Sequence, residues 1–269
     1  GVVIRDIRLD GQDTLNTVGT QNGIELNGMG NGNGSGSRQG GQIINVYVNE
    51  FRSTGLYITD SSNNIINGNS FVGNTSGVVL VGDSQNNTIN SNISTGNTQI
   101  GIEIWSEYNL ISGNTANSNG ITGIRIVDYG NNTIVGNTTN GNGYGIQVGF
   151  SNNVITGNTS NNNDTGIAVE GSYVTISDNV IINNVTTGIS FAGSNLTATG
   201  NTVSGSSSGI VALYVDNSSI SNNSLTNNTA HGIYMSNGNN NVITGNAIKD
   251  SGDTTKNSGI NIEDSDFIS

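Results

Sequence analysis

Hydrophobic and polar residues alternate along this chain in short runs. The segments "TIVGN" (133–137) and "GIQV" (145–148) are typical: one or two aliphatic residues stand among Thr, Gln, Gly and Asn, over four or five positions. Short alternating runs rich in Ile, Val and Thr favour β-strands over helices. The pattern therefore predicts an all-β protein built from short strands and turns.

The pattern repeats with a nearly constant period. The motif Gly-aliphatic-x-aliphatic recurs at steps of 21 to 24 residues, with longer steps only after its first copy and before its last. Disordered Asn-rich sequence has no reason to keep such a register, whereas a fixed period in this range indicates a solenoid. The motif begins at Gly23, Gly55, Gly77, Gly101, Gly123, Gly145, Gly166, Gly188, Gly209, Gly232 and Gly259.

Asparagine forms two further columns with the same period. Asn tolerates a left-handed backbone, and its amide bonds neighbouring backbone groups, so it suits tight turns. Stacked Asn side chains at the strand spacing pair their amides from coil to coil. The first column is Asn69, Asn92, Asn114, Asn137, Asn158, Asn179, Asn201, Asn223 and Asn246. The second, five residues later, is Asn74, Asn97, Asn119, Asn142, Asn163, Asn184, Ser206, Asn228 and Ser251.

These columns predict a right-handed single-stranded parallel β-helix of about 11 coils with an asparagine ladder. Each coil holds three short strands and three turns, successive coils stack about 4.8 Å apart, and the right-handed winding follows the crossover rule. We expect one domain over 1–269, a fragment or mature part of a longer chain. Loop insertions are expected near 28–42 and 249–258, where the period lengthens.

With these motifs the chain resembles the right-handed parallel β-helix, or pectate-lyase-like, superfamily over its whole length. The resemblance rests on the Gly-Ile-x-Ile strand, the "NxIxGN" strand and turn, and the Asn ladder. It implies three sheets: "TIVG" (133–136) lies in the second sheet (PB2), "TT" (138–139) in the third (PB3) and "GIQV" (145–148) in the first (PB1). It also implies a polysaccharide groove along PB1. The superfamily contains lyases, hydrolases, epimerases, tailspikes, adhesins and structural proteins, so fold alone does not give the activity.

Charge and composition exclude several classes of function. The chain has 7 basic and 19 acidic residues, for a net charge of −12. This balance argues against nucleic acid and against an anionic membrane surface, which both require a basic face. No apolar run approaches the roughly 18 residues of a membrane-spanning helix. Without cysteine there is neither a disulfide nor a thiolate metal site.

Aromatic, acidic and Arg side chains that could bind a ligand are concentrated on the outward side of PB1. They lie in the coils that begin at Gly101, Gly123 and Gly145. Aromatic rings stack on sugar faces, and carboxylates and Arg bind hydroxyls and acids, so a mixed platform suits a polysaccharide. The alternative is that these side chains are simply the solvated face of the strands. The predicted substrate-binding residues are Tyr57, Trp105, Tyr108, Tyr129, Gln147, Phe150 and Glu170.

Glu103, Arg125 and Asp128 are the candidates for catalysis. Glu103 with Asp128 or Glu170 would form an acid pair for glycoside hydrolysis, whose separation sets the inverting or retaining outcome. Arg125 would instead abstract a proton or neutralise charge, as Arg or Lys does in β-helix lyases. The polygalacturonase paired Asp with Gly-His-Gly is absent, as is the epimerase Asp-Pro-His-Glu. The activity, if any, is left open among polysaccharide lyase, glycoside hydrolase and epimerase.

Two functions remain open. The first is an extracellular protein that binds or processes a polysaccharide or cell-surface glycan on PB1. The second is a non-catalytic structural rod, such as an adhesin, fibre or viral tail component. Either predicts a secreted, cell-surface or virion-surface location, with homo-oligomers or added domains capping the ends. No cofactor or metal site is predicted; calcium is compatible with the acidic surface but no motif demands it. His231, the single histidine, is expected to have a structural or surface role.

Overall fold

The regular structure of this protein consists of β-strands. The computed structural model describes residues 1–11, 21–29, 40–251 and 258–265, and no helix occurs in these ranges. The chain forms two compact units, Gly1–Thr138 and Thr139–Ser269. In each unit the strands are short because the aliphatic runs are short, and a residue with positive φ commonly follows them.

The first unit contains strands β1 to β15, and β16 begins on its last residue. They are β1 (Val3–Arg5), β2 (Arg8–Asp10), β3 (Ile24–Asn27), β4 (Gln42–Ile44), β5 (Tyr47–Asn49), β6 (Thr54–Thr59), β7 (Ile65–Asn67), β8 (Ser70–Val72), β9 (Ser76–Val81), β10 (Thr88–Asn90), β11 (Ile93–Thr95), β12 (Ile100–Ile104), β13 (Leu110–Ser112), β14 (Thr122–Ile126), β15 (Thr133–Val135) and β16 (Thr138–Asn140).

The second unit contains the remaining strands. They are β17 (Tyr144–Val148), β18 (Val154–Thr156), β19 (Thr159–Asn161), β20 (Thr165–Glu170), β21 (Thr175–Ser177), β22 (Val180–Ile182), β23 (Thr187–Ser194), β24 (Thr197–Thr199), β25 (Thr202–Ser204), β26 (Ser208–Asp216), β27 (Ser219–Ser221), β28 (Ser224–Thr226), β29 (His231–Ser236), β30 (Val242–Thr244), β31 (Ala247–Lys249) and β32 (Ile260–Glu263).

Each unit arranges its strands in three sheets, and every described strand pair within a unit is parallel. In the first unit PB2 is β1-β4-β7-β10-β13-β15, PB3 is β2-β5-β8-β11 and PB1 is β3-β6-β9-β12-β14. In the second unit PB2 is β18-β21-β24-β27-β30, PB3 is β19-β22-β25-β28-β31 and PB1 is β17-β20-β23-β26-β29-β32. Successive members of a sheet are one coil apart in the chain, which is the topology of a parallel β-helix.

The core is a set of aliphatic stacks. In PB2 of the first unit, Ile66, Ile89, Ile111 and Ile134 occupy the same inward position on successive strands, and all are fully buried. Burying one such side chain stabilises the fold by about 1.5–3 kcal/mol. Because side chains alternate along a strand, the residues on either side of each Ile point outward. This alternation fixes which residues PB1 presents to ligands.

The predicted asparagine ladder is present, and Asn114 shows its geometry. The Asn114 Oδ1 accepts the backbone N–H of Asn92 at 2.9 Å and the Asn92 Nδ2 at 3.0 Å. The Asn114 Nδ2 donates to the Ile89 carbonyl at 2.8 Å and to the Asn137 Oδ1 at 3.0 Å. All four hydrogen-bonding positions of the buried amide are thereby used. The same pattern joins Asn158, Asn179, Asn201, Asn223 and Asn246 in the second unit.

The second Asn column also forms a ladder, and there is a third that the sequence analysis did not predict. Asn74, Asn97 and Asn119 bond in series in the first unit, as Asn142, Asn163 and Asn184 do in the second. The third ladder joins Asn64, Asn87, Asn109 and Asn132 at the turn before PB2. Every turn of the regular coils in the first unit is therefore closed by a buried amide.

The predicted fold class is confirmed: the protein is an all-β right-handed parallel β-helix with asparagine ladders. Residues 30–39, the centre of the insertion expected near 28–42, lie outside the described residues, and so do residues 252–257 of the insertion expected near 249–258. The described strands on either side of 30–39 are β3 of PB1 and β4 of PB2.

Candidate functional site

The outward side of PB1 in the first unit carries a partly buried ion pair. The strand register places Glu25, Tyr57, Val79, Glu103 and Arg125 at the same position on β3, β6, β9, β12 and β14. The Arg125 Nη1 lies 3.4 Å from the Glu103 Oε1, and the two side chains are 36% and 13% exposed. Glu103 is thus mostly covered although its strand faces outward.

Trp105 is the second partner of Glu103. It follows β12, and its backbone N–H donates to the Leu80 carbonyl at 2.8 Å, which continues the register of the sheet. Its side chain is a hydrogen-bonding neighbour of the Glu103 carboxylate, and the indole N–H is the only donor that Trp offers. One carboxylate therefore lies beside both the indole and the guanidinium.

The environment of Glu103 acts on its pKa in opposite directions. Burial raises the pKa above its ordinary value of 4.5, while the Arg125 charge and the Trp105 hydrogen bond lower it. Burial is the largest of the three effects, so the pKa is raised overall. Perturbed pKa values cluster at functional sites, which makes Glu103 a candidate functional residue.

Tyr108 lies in the turn after Trp105 and has an unusual backbone. Its φ is +60°, and its side chain is 52% exposed. The register of PB2 places Asn63, Asn86 and Asn131 at the equivalent position of the other coils, with φ between +55° and +61°. Asn tolerates this left-handed conformation, whereas a bulky residue rarely adopts it. Tyr108 is therefore an exposed aromatic residue at a turn position that the other coils fill with Asn.

The other residues of the first unit that were predicted to bind substrate or to act in catalysis lie on PB1 or in the turns that follow its strands. Asp128 and Tyr129 lie in the turn that follows β14, and both are exposed; Asp128 also has a positive φ of 57°. Tyr57 lies in the outward column of Glu103, two strands away, and is half-buried. The structure thus brings Glu103, Trp105 and Arg125 together, places Tyr57 on the same sheet, and places Tyr108, Asp128 and Tyr129 in the turns after β12 and β14.

Three predicted residues belong to the second unit. Gln147 has the outward position of β17, opposite Ala168 on β20. Phe150 follows β17 and is 45% exposed, and Glu170 ends β20 as an exposed residue. The second unit also holds Tyr173, whose φ is +57° at the turn position where Asn152 and Asn195 lie in adjacent coils. A tyrosine that interrupts an Asn column is visible in the sequence, and this signal would have added Tyr173 to the predicted residues beside Tyr108.

One concave surface of the first unit lies beside PB2 and not at the Glu103–Arg125 ion pair. A cavity of about 410 Å³ lies beside β1, β4 and β7, and it is lined by Gly1, Val2, Val3, Gly40, Gly41, Gln42, Asn63 and Ile65. This lining contains no charged or aromatic side chain. Glu103, Trp105 and Arg125 are not among the residues that line it.

The fold places this protein in the class of right-handed parallel β-helix proteins. Comparison of the sequence with protein-family models identifies its family within that class. The chain belongs to the family described as periplasmic copper-binding protein (NosD), whose family model matches residues 6–153 and 149–267. No curated protein sequence matches the chain.

Several solved structures share the fold at low sequence identity. The A-module of a mannuronan C-5 epimerase from Azotobacter vinelandii has a TM-score of 0.67 and 14% identity over 99% of this chain and 85% of its own. An alginate lyase from a Paenibacillus species has a TM-score of 0.63 and 14% identity over 86% of this chain and 92% of its own. The catalytic domain of a GH87 α-1,3-glucanase in complex with nigerose has a TM-score of 0.55 and 12% identity over 97% of this chain and 61% of its own. At this identity the likeness shows the fold.

The residues of this chain do not fit a copper centre. Copper in proteins is bound by Cys, Met and His side chains, and this chain has no Cys, a single His and two Met. Met235 is fully buried in the core of the second unit. The described residues contain no group of three or more His, Cys, Asp or Glu side chains that could hold a metal ion. We therefore assign no step to copper. The described part of the chain likewise has no helix able to span a membrane.

Proposed function

We propose that this protein binds an acidic polysaccharide on PB1 of the first unit, in the periplasm or outside the cell. The observation that carries the proposal is the contact of the Glu103 carboxylate with both Arg125 and Trp105. The location is supported by the periplasmic description of the family. The activities named for the similar structures, on alginate and on an α-1,3-glucan, are in keeping with a polysaccharide ligand.

The ion pair orients two ligand-binding groups at once. Glu103 uses one carboxylate to fix the indole of Trp105 and the guanidinium of Arg125, so neither side chain needs to be ordered when a ligand arrives. The ring provides a stacking surface for a sugar. The guanidinium is 36% exposed and has five N–H donors, so it can still donate to a sugar carboxylate after pairing with Glu103.

A titration of oligosaccharides tests the proposal. Oligomannuronate and oligogalacturonate are titrated calorimetrically into the wild type and into Trp105→Ala and Trp105→Phe. We expect binding by the wild type, a loss of about tenfold or more in affinity for Trp105→Ala, and a smaller loss for Trp105→Phe, which keeps a stacking ring. If no acidic oligosaccharide binds the wild type, or if both variants bind as the wild type does, the proposal fails and a structural rod is the better account.

Cleavage of the bound polysaccharide is a second candidate, favoured by the raised pKa of Glu103. A carboxyl that stays protonated above its ordinary pKa is suited to donate a proton to a leaving oxygen. Asp128, exposed in the turn after β14, is the candidate for the second carboxylate, and Arg125 for the stabilisation of negative charge. Assays for new reducing ends and for unsaturated products distinguish hydrolysis from elimination. Absence of both products from polysaccharides that bind leaves binding as the function.

A further inference from the structure

The second unit presents a tyrosine that the regular β-helix does not require. Tyr214 lies in β26, has a φ of +54° and is 70% exposed. The register between β23 and β26 shifts at this point: Ala192 pairs with Leu213, but Gly193 pairs with Val215. Tyr214 is thus the extra residue of a β-bulge, and such bulges re-aim a side chain.

The backbone conformation at the bulge is energetically unfavourable for Tyr214, and burial of the ring does not offset this cost. Tyrosine pays a conformational cost at positive φ, and its ring here gains no burial in return. On the partner strand, Gly193 has a φ of +128°, and a Cβ added to it would meet the Gly171 carbonyl oxygen at 2.5 Å. The local backbone on both strands is therefore adapted to turn Tyr214 toward solvent.

A second group of polar and aromatic side chains lies on the strands after β26. The rings of His231 and Tyr234 stack, with centroids 5.5 Å apart and planes inclined by 25°. The Tyr234 hydroxyl donates to the Glu263 Oε2 at 3.0 Å, and the Asn261 Nδ2 donates to the Glu263 Oε1 at 2.9 Å. Glu263 thereby orients both the phenol and the amide, much as Glu103 orients its two partners.

The strand register places the residues next to Tyr214 on the same sheet surface as Tyr234 and Glu263. Val211 of β26 pairs with Tyr234 of β29, which pairs with Asn261 of β32. Leu213, next to the bulged residue, pairs with Ser236, which in turn pairs with Glu263. Since paired residues point to the same side of a sheet, these side chains share the outward side of three consecutive PB1 strands.

We propose that Tyr214, His231, Tyr234, Asn261 and Glu263 form a second ligand-binding surface, specific for a neutral polysaccharide. Two aromatic positions supply stacking on sugar faces, and the Glu263 carboxylate accepts hydrogen bonds from sugar hydroxyls. The His231 Nδ1 accepts the Ser258 N–H at 3.3 Å, so in the neutral imidazole the Nε2 carries the proton and can donate to a sugar oxygen. This surface is independent of the Trp105 site and does not rest on the function proposed there.

The charge of this surface sets its preference. Glu263 contacts an amide and a phenol, and among the described residues no cation pairs with it. A sugar carboxylate would approach this negative charge without a basic group to offset the repulsion, in contrast to the Arg125 site. A neutral sugar meets no such penalty and forms the same hydrogen bonds.

The test is a titration of laminarihexaose, cellohexaose and mannohexaose into the wild type, Tyr214→Asn, Tyr234→Ala and Glu263→Gln. We expect at least one of these neutral probes to bind. Tyr214→Asn should weaken that binding about fivefold to tenfold, and Tyr234→Ala by at least as much. Glu263→Gln should keep the neutral probe within about threefold but allow oligomannuronate to bind this surface, because the repulsion is removed. Val154→Ala, at an exposed position of PB2 in the same unit, is the control and should leave neutral binding unchanged.

A melting curve separates binding from folding. Asn suits positive φ, so Tyr214→Asn should melt at the wild-type temperature or above it. The proposal is overturned if no neutral probe binds the wild type, or if Tyr214→Asn and Tyr234→Ala both bind as the wild type does. It is also overturned if Tyr214→Asn melts well below the wild type, which would make the ring structural.

Discussion

Glu103 and Arg125 face each other on adjacent strands, with 3.4 Å between the carboxylate Oε1 and the guanidinium Nη1. No other Lys or Arg stands between Arg52 and Lys249 in the sequence, so this cation is isolated in an acidic chain. Its partner Glu103 also accepts a hydrogen bond from Trp105. The pair therefore joins an isolated cation, a carboxylate and an aromatic ring at one place on the first unit.

The stability of the protein should depend on pH through Glu103. Burial raises the Glu103 pKa in the folded protein, so between the ordinary value of 4.5 and the raised value the folded state binds more protons than the unfolded chain. The contribution of Glu103 to the free energy of unfolding must then fall as pH rises through this range. Gln cannot ionise, so the stability of Glu103→Gln relative to the wild type should increase from about pH 4 to about pH 7 in urea unfolding.

Arg125→Gln provides the matched comparison for that measurement. Its guanidinium lowers the Glu103 pKa, so its removal should raise this pKa further and move the loss of stability to higher pH. A difference between Glu103→Gln and the wild type that stays constant across this pH range would show that burial does not perturb Glu103.

Tyr108 should be replaceable by Asn without loss of stability. Asn occupies the same turn position in the neighbouring coils at positive φ, so Tyr108→Asn should raise the free energy of unfolding by up to about 1 kcal/mol while weakening acidic oligosaccharide binding. The reverse change, Asn86→Tyr, should destabilise by about 1 kcal/mol. Chemical unfolding and calorimetric titration of both variants provide the measurement. A Tyr108→Asn variant that is less stable but binds normally would assign the ring to the fold.

The ladder should be a major source of stability. Asn114→Ala removes four hydrogen bonds and leaves buried groups of Asn92, Asn137 and Ile89 unsatisfied, so we expect a loss of about 3 kcal/mol. The control is Asn67→Ala, at an outward position where the side chain accepts one bond from the Asn90 Nδ2 at 2.9 Å; here the loss should stay below about 1 kcal/mol. Equal melting temperatures for the two variants would refute a structural role for the ladder.

The repeated glycine before each PB1 strand should be required for close approach of the coils. A Cβ on Gly101 would meet the Gly123 carbonyl oxygen at 2.5 Å and the Asn119 Nδ2 at 2.8 Å. Gly101→Ala should therefore destabilise by about 3 kcal/mol or more. Gly96→Ala is the control: its φ is +67° but nothing lies within 4 Å, so only the conformational cost of about 1–2 kcal/mol is expected. Similar losses for the two variants in urea unfolding would argue against crowding at Gly101.

Periodicity was sufficient to predict the fold. The Asn69 and Asn74 columns and the Gly-aliphatic-x-aliphatic strands recur without interruption through most of the chain, so strands, register and ladders could be read from spacing. The third ladder escaped prediction because its column is broken by Val174 and Leu196, which are buried apolar residues at the same position. A column is recognisable in one sequence only while its residue type persists.

The site was predicted in part. Strand alternation was enough to place Glu103 and Arg125 on the outward side and in adjacent coils. The burial of Glu103 and its hydrogen bond from Trp105 depend on side-chain packing that no spacing encodes. The bulge at Tyr214 was missed because one extra residue in β26 leaves the coil period within its ordinary variation. The stack of His231 on Tyr234 was likewise not predicted, although both residues were visible beside the Gly232 motif.

The central claim is that the PB1 cluster recognises the carboxylates of a polysaccharide. The direct measurement is the ratio of affinities for oligomannuronate and for mannose oligomers of the same length, in the wild type, Arg125→Gln and Arg125→Lys. We predict that Arg125→Gln lowers the affinity for oligomannuronate about tenfold and leaves the affinity for the mannose oligomer unchanged. Arg125→Lys keeps the charge but not the forked geometry, so its affinity for oligomannuronate should lie between those of the wild type and Arg125→Gln. An equal loss for both ligands, or no change for either, would contradict the claim.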